Sequence, residues 1–276
     1  MKKIGIVLFE AYHQQRNTAS SRIRGHWLIK YWPEAEAFIQ GKDYETVIYQ
    51  KAYWKEHARA FKGKKILDIC DPDWLDGIPT AEFMALMHAI TVPTEALKEA
   101  IEKFTDTPVY VIKDRLDLDT LPPQKKDSGE KAKTAVWFGY HHNIHVLDPA
   151  LDIIASNGLI LKAISNGTLN SGECKIENIR WEPETVNAEI QKADFAILPQ
   201  PTTGRHRYKS DNKERLAIAL GLPVAKTSQD VKRFTDPDER EKEMLEKYPH
   251  TPDQWKDFDV RTSVEEMKAV IESIHL

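Results

Sequence analysis

Apolar residues in this chain fall into two alternating patterns. Short, mostly apolar runs at 4–9, 46–49, 65–69, 89–92 and 109–112 are rich in β-branched, aliphatic and aromatic side chains. Runs of that length without a polar face predict strands buried on both sides. Between them lie stretches with apolar positions three or four apart, at 23–32 and 94–101. The second opens on Thr94, which can cap, and Glu95, an early acid, so it predicts a helix start. Strand and helix in alternation predict a Rossmann-type β/α domain with right-handed crossovers.

The alternation breaks at 121–133, which holds Pro122, Pro123, Gly129 and five lysines or glutamates and reads as a linker. It then resumes, with strands at 135–138, 159–164 and 195–198 and a further one entered at 223–225. Helices fall at 147–156, 186–192 and 215–220. The highly charged stretch 236–259, with Pro237, Pro249 and Pro252, reads as a solvated helix and an irregular connection. Val264, Met267, Val270, Ile271 and Ile274 form one face of a last helix, ready to pack against either half. The expected organisation is a Rossmann-like domain over 1–120, a linker over 121–133, a second Rossmann-like domain over 134–257 and a helix over 258–276 that packs back.

Composition narrows the class. With 276 residues, 41% hydrophobic and 30% charged, the chain can bury ordinary cores and is not a disordered one. Its 39 basic and 43 acidic residues give a net charge of −4, which excludes a globally basic nucleic-acid coat but not a local basic groove. Cys70 and Cys174 alone make neither a disulfide framework nor a four-thiolate zinc site, so a reducing cytoplasm is the expected compartment. The N-terminal segment reads as a first buried strand, not a signal peptide.

The most informative stretch joins the 195–198 strand to the next helix. It carries Arg205, His206, Arg207 and Lys209, then Ser210 and Asp211 as possible caps, and Gly221 as a helix stop. A helix start presents unpaired N–H groups and partial positive charge, and cations beside it predict an anion site. A solvated basic loop is the plain alternative. Elsewhere, Ser20 and Ser21 can cap a helix whose first turn holds Arg22 and Arg24, with Arg16 just upstream. Cations are unfavourable at that end and so suggest something negative nearby, or else surface pairing with Glu34 or Glu36. Gly139 permits a tight backbone turn and Asn143 a cap, while His141 and His145 have a spacing that could chelate a metal but lack any supporting motif. His13 and His26 are candidate acid/base groups, and Asp71-Pro72-Asp73 closes a strand.

Lys209-Ser210-Asp211-Asn212-Lys213, running into Ala219-Leu220-Gly221-Leu222-Pro223-Val224, resembles the donor-site helix of GT-B glycosyltransferases. Ile90-Thr91-Val92-Pro93-Thr94-Glu95-Ala96-Leu97 is similar to a strand-to-helix segment of that family. Val111-Ile112-Lys113-Asp114-Arg115-Leu116-Asp117 is similar to its segment before the interdomain linker, and Ala135-Val136-Trp137-Phe138-Gly139-Tyr140 to the opening of its nucleotide-binding half. The resemblance is spread over 1–225, and the order of the motifs carries it. Three departures stand out: Leu216 where retaining members often have glutamate, Asp114 for asparagine, and no glycine-rich loop after the first strand.

The resemblance implies an α/β chain of two Rossmann-like domains facing a cleft. It implies a metal-independent enzyme that moves a sugar from a nucleoside diphosphate to a hydroxyl. The nucleotide sugar is a substrate, so no cofactor is expected. Catalytic candidates are Lys209, Arg205, Arg207, His13 and Asp71. Donor-binding candidates are Gly139, Tyr140, His141, Asn143, Ser210, Asp211, Asn212 and Lys213. Acceptor-side candidates are Arg16, Ser20, Ser21, Arg22 and Arg24. The acceptor is expected to be a surface glycan or glycolipid, with a hydroxymethylated DNA base second. The Asp71-Pro72-Asp73 match to a D-x-D metal motif is not one this family relies on. Rival readings are a non-catalytic nucleotide-sugar-binding module and a sugar-nucleotide epimerase of the same architecture.

Overall fold

The computed structural model describes residues 3–15 and 17–275. They fall into two compact units, each interrupted in sequence.

The first unit comprises Met1–Asp117, Thr203–Ser210 and Lys256–Leu276. Its sheet contains β1 (Ile4–Val7), β2 (Ala35–Ala37), β3 (Thr46–Gln50), β4 (Lys64–Asp68), β5 (Ala89–Val92) and β6 (Val109–Val111). The order is β2-β1-β3-β4-β5-β6 and every pairing is parallel. All residues of β1, β3 and β5 are buried, as unbroken apolar runs require. One face of the sheet, with Ile6, Ile48 and Ile66, packs on Leu28, Trp32 and the C-terminal helix Val260–Ser273. The other face, with Val47, Tyr49 and Leu67, packs on Phe83, Leu97 and Ile101.

The C-terminal helix therefore completes the first unit. Val260, Val264, Met267 and Val270 are buried in it. Arg115 locks the helix in place with a two-pronged pair to Glu266 at 2.6 and 2.8 Å and a bond to Ser263 at 3.0 Å.

Two local features depart from the periodicity. Strand β1 stops at Val7, and Phe9–Tyr12 turns into a short helix. The stretch read as one helix is Ala19–Ser21, a widened π turn over Arg22–His26 and then Trp27–Tyr31. Gly25 lies in the π turn against Leu8, where a Cβ would stand 2.2 Å from the leucine side chain. Glycine lets this helix approach the end of β1.

The second unit comprises Leu118–Thr202 and Asp211–Trp255. Its sheet contains β7 (Thr134–Phe138), β8 (Ile160–Ser165), β9 (Lys175–Arg180), β10 (Phe195–Ile197) and β11 (Val224–Ala225), in the parallel order β11-β10-β7-β8-β9. The 121–133 stretch contains no helix or strand, yet it is tied down at several points. Lys125 N donates to Leu220 O at 3.0 Å and Ala132 N to Thr235 O at 3.1 Å. Arg240, wholly buried, grips Asp127 at 2.6 and 2.9 Å and donates to the carbonyls of Phe234 and Glu130. That grip makes the charged 236–259 stretch more than a solvated surface. It folds as helices Pro237–Lys247 and Pro252–Lys256. Gly221 ends the preceding helix Asn212–Ala219 with φ +92°, and a side chain there would meet Lys125 O.

In each sheet the strand order reverses once, between β1 and β3 in the first and between β7 and β10 in the second. Ligands of open parallel sheets bind outside the carboxyl ends of the strands at such points. Among the described residues no helix is long and apolar enough to cross a membrane.

Candidate functional site

At the carboxyl edge of the first sheet, charged side chains are packed into a buried network. Arg24, 4% exposed, points inward from the π turn. It meets Asp68, at the end of β4, through Nε and Nη2 at 2.8 and 2.5 Å. Its Nη1 donates to Asp114 Oδ1 at 2.7 Å and to Ile112 O at 2.9 Å. Thr91 Oγ1 donates to Asp68 at 2.6 Å. Burial opposes charge on Arg24, but Asp68 and Asp114 outweigh it and raise its pKa. Arg24, expected on the acceptor side, is thus committed to two carboxylates inside the unit.

The loop Thr203–Ser210 joins this edge and packs with the first unit, not with the half in which its sequence position falls. Ser210 Oγ donates to Asp114 Oδ2 at 2.6 Å, and Thr94 Oγ1 donates to Tyr208 O at 3.2 Å. Lys209 Nζ bonds Asp71. Arg205 pairs with Asp76 at 2.6 Å, both half-exposed or nearly so, and the Arg207 guanidinium lies 5.2 Å from the Tyr208 ring centre.

Asp71 has a second cation. Lys51 Nζ reaches Asp71 Oδ2 at 2.6 Å and Asp73 Oδ1 at 3.1 Å, while Tyr53 donates to Asp73 at 2.6 Å. Lys51 follows β3 with φ +49°, a left-handed conformation that non-glycine residues rarely adopt and that often marks functional edges. Burial favours the neutral acid at Asp71, but Lys209 and Lys51 prevail and hold its pKa well below the usual carboxylate range. Asp73 moves the opposite way, lifted by burial. A carboxylate as firmly ionised as Asp71 is a weak proton acceptor, which argues against it as a general base. The acids of Asp71-Pro72-Asp73 face a lysine, and among the described residues no group of three or more His, Cys, Asp or Glu is arranged to hold a metal ion.

At the β1–β3 switch point, Ser21 Oγ accepts from Glu10 N at 3.0 Å and donates to Gln50 Oε1 at 3.0 Å. Ser20 and Ser21 do not cap the helix, because Thr18 takes that position and accepts from Ser21 N. Arg22 is partly buried and stands 5.9 Å from the Trp27 ring centre. His13 is exposed and packs on Phe9 and Tyr12, with ring centres 4.5 and 4.9 Å away. His26 bonds Glu10 at 2.6 Å. Arg16 lies outside the described residues.

The second unit has its own cluster at the β7–β10 switch point. Gly139 follows β7, and a Cβ built on it would lie 3.1 Å from Lys213 Nζ. The same ammonium stands 5.6 Å from the Trp137 ring centre. Lys213, in the first turn of the Asn212–Ala219 helix, therefore covers the bare glycine backbone. Asp211 occupies the cap position without a side-chain cap bond and pairs instead with Arg215 at 2.9 Å. Ser210 does not cap either, its hydroxyl being engaged by Asp114. His141 N donates to Asn166 Oδ1 at 2.8 Å, and its ring lies against Gly167, where any side chain would collide with it. Tyr140 is exposed. Asn143 caps no α-helix, since a 3₁₀ turn over His141–Leu147 leads into Asp148–Ser156. His145 Nδ1 bonds the carbonyl of His142.

Sequence reasoning missed Lys51, Tyr53, Asp68 and Trp137. Asp68 and Lys51 each end or follow a buried strand, and that position was the available signal.

No protein-family model matches the chain, and no curated protein matches it in sequence. Solved glycosyltransferases do share its fold. The pneumococcal O-GlcNAc transferase GtfA, in complex with UDP and GlcNAc, aligns at a TM-score of 0.53 and 12% identity over 83% of this chain. This chain spans only 56% of the length of that protein. An alpha-glucosyltransferase in complex with UDP and a 13-mer DNA containing a HMU base aligns at a TM-score of 0.65 and 10% identity, over 98% of this chain and 99% of that one. AviGT4, a glycosyltransferase involved in avilamycin A biosynthesis, aligns at 0.55 and 12%, over 99% and 97%. At such identities the shared property is the fold, two parallel α/β sheets in series.

Proposed function

We propose that this chain is a glycosyltransferase of the GT-B type, moving a sugar from a nucleoside diphosphate to a hydroxyl acceptor. The observation that carries the reading is the Lys213 ammonium standing over the bare backbone of Gly139 at the strand-order reversal of the second sheet. A fixed cation, exposed backbone and a helix start make a seat for a diphosphate. The fold shared with glycosyltransferases supports the same reading.

In this mechanism the anomeric carbon becomes oxocarbenium-like as the diphosphate leaves, and negative charge gathers on the departing phosphates. Lys213 and Lys209, with Arg205 or Arg207, stabilise that charge, which is why the reading needs no metal. Gly139, Tyr140, His141, Asn143 and the Ser210–Asn212 backbone line the donor. Each charged contact is worth about two to three powers of ten in rate, on the scale of other oxyanion donors. His13 is the remaining candidate base for an inverting reaction, and a retaining one needs none.

The acceptor in this reading is a glycan or glycolipid hydroxyl. A second acceptor, a hydroxymethylated DNA base, is favoured by the end-to-end correspondence with the DNA-bound alpha-glucosyltransferase. Acceptor binding that weakens steeply with salt selects DNA, and indifference to salt selects the glycan.

The test is a thermal-shift screen with UDP, GDP, ADP and their sugar conjugates, followed by transfer assays. A ligand at a hundred times its Kd stabilises the protein by about 2.7 kcal/mol. Lys213→Ala is expected to remove most of the shift and to abolish turnover. Stabilisation without turnover over a broad acceptor panel supports a binding module instead. No stabilisation by any nucleotide overturns the reading.

A further inference from the structure

We propose that Asn166 is a site of spontaneous deamidation, singled out by the fold, and that its conversion to a carboxylate degrades the diphosphate seat of the second unit. The second half of this inference rests on the transferase reading above. The chain contains the tripeptide Ser-Asn-Gly twice, at 156–158 and at 165–167. Asparagine before glycine is prone to ring closure, because no Cβ shields the attacking backbone nitrogen. Local sequence gives the two copies the same chemistry, and only their surroundings differ.

The first copy is tied. Asn157 follows the helix Asp148–Ser156 and its Nδ2 donates to Ile153 O at 2.7 Å, while Gly158 N donates to Ala155 O at 2.9 Å. Leaving amine and attacking nitrogen are both held. The second copy is open. Asn166 follows β8 and is exposed, and among the described residues neither its Nδ2 nor Gly167 N has a hydrogen-bond partner. His141 N donates to Asn166 Oδ1 at 2.8 Å, on the oxygen where negative charge gathers as the ring closes. Packing imposes the glycine here, since a Cβ on Gly167 would lie 2.4 Å from ring atoms of His141.

In the reaction Gly167 N bonds to Asn166 Cγ and gives up its proton to base. The Cγ–Nδ2 bond breaks, and the amine takes up a proton and departs as ammonia, leaving a succinimide ring. Water opens the ring at Cγ to give aspartate, or at the main-chain carbonyl carbon to give isoaspartate. The net change is one water taken up and one ammonia released. Either product brings a carboxylate to this loop, and the second also inserts Cβ into the main chain. The turn after β7 hangs from this stretch, because Gly139 N donates to Ile164 O at 3.0 Å and His141 N to Asn166. Gly139 is the bare backbone that Lys213 covers. A carboxylate beside that turn repels a diphosphate, and a lengthened main chain displaces the turn itself.

The test follows both copies by peptide mapping of the whole protein aged in neutral and in mildly alkaline buffer, with isoaspartate labelled by its methyltransferase. In urea the two are expected to convert at nearly equal rates. In the folded protein Asn166 is expected to convert about thirtyfold faster than Asn157, which must first give up two hydrogen bonds. The rate at Asn166 is expected to rise with pH, since the attacking nitrogen must lose its proton. Calorimetry with UDP and with inorganic pyrophosphate then reads Asn166→Asp. Both ligands are expected to bind about fivefold more weakly, the gap narrowing with added salt.

If Asn157 converts as fast as Asn166 in the folded protein, or neither converts, the modification site is wrong and the transferase reading stands. If Asn166 converts alone but Asn166→Asp binds as the unsubstituted protein does, the effect on the seat is wrong. If the unsubstituted protein binds neither UDP nor pyrophosphate, the transferase reading falls and takes that effect with it, while the modification site stands on its mapping. Should Asn166→Asp fail to fold, aged protein separated by charge from the unmodified form takes its place in the calorimetry.

Discussion

Arg24 shows how much a single side chain can carry that its neighbours in sequence do not announce. It divides one guanidinium between Asp68 and Asp114, 44 and 90 residues away. Removing it leaves two buried carboxylates facing one another without their cation. Arg24→Met is expected to destabilise the first unit by about 3–5 kcal/mol, measured by urea unfolding. Replacing Arg24, Asp68 and Asp114 together with apolar residues of matching volume is expected to cost far less. From sequence, Arg22 and Arg24 looked alike, two cations in a first helical turn. Only the long-range partners separate them, and nothing in the local sequence marks such pairs. Gly139 and Lys213 stood out as candidates for the opposite reason, because each lies in a short local motif.

At the scale of elements, strands buried on both faces were readable to within a residue or two, since an unbroken apolar run has few other uses. Strand β9 was not. Lys175–Arg180 is an edge strand, mostly exposed, and its Lys-Ile-Glu-Asn-Ile-Arg sequence alternates too weakly to stand out. The π turn at Arg22–His26 was equally hidden, because one widened turn inside an apolar periodicity leaves the spacing almost intact.

Two histidines set a pH dependence at this scale. His57 lies between Trp54 and Phe61, with ring centres at 4.6 and 5.7 Å, and burial lowers its pKa. His88 accepts from Lys65 N at 3.0 Å, and burial followed by Lys65 and Lys64 lowers its pKa too. An unfolded histidine titrates at about 6.5, so the unfolded chain takes up these protons first on acidification. Stability from this source is complete above that value and is lost as pH falls through it toward the folded values. Urea midpoints are expected to drop between pH 7 and pH 5, and the drop is expected to flatten in His57→Phe and His88→Gln. An unchanged slope in both variants would assign the acid sensitivity elsewhere.

At the scale of the molecule, the alternation of strand and helix foretold two Rossmann-like sheets, and it did so because each sheet is wholly parallel. It could not foretell which segments each unit borrows. The Thr203–Ser210 loop and the C-terminal helix both pack with the first unit, through Asp71, Asp114, Arg115 and an apolar stripe whose partners lie more than a hundred residues back. Deleting everything after Asp259 exposes the face formed by Leu28, Trp32, Ile48 and Ile66. Such a truncation is expected to abolish cooperative unfolding of the first unit while leaving the second with its own transition, resolved by calorimetry of the two forms.

The helix that closes the first sheet is made after every strand of both units. On the ribosome the early strands must wait, with one flank of their sheet bare, until the chain has been extended to Ser273. The later-coded second unit can finish before the earlier one. A chaperone that shields apolar surface on nascent chains has its natural client in that interval, between the emergence of Trp32 and the arrival of Met267.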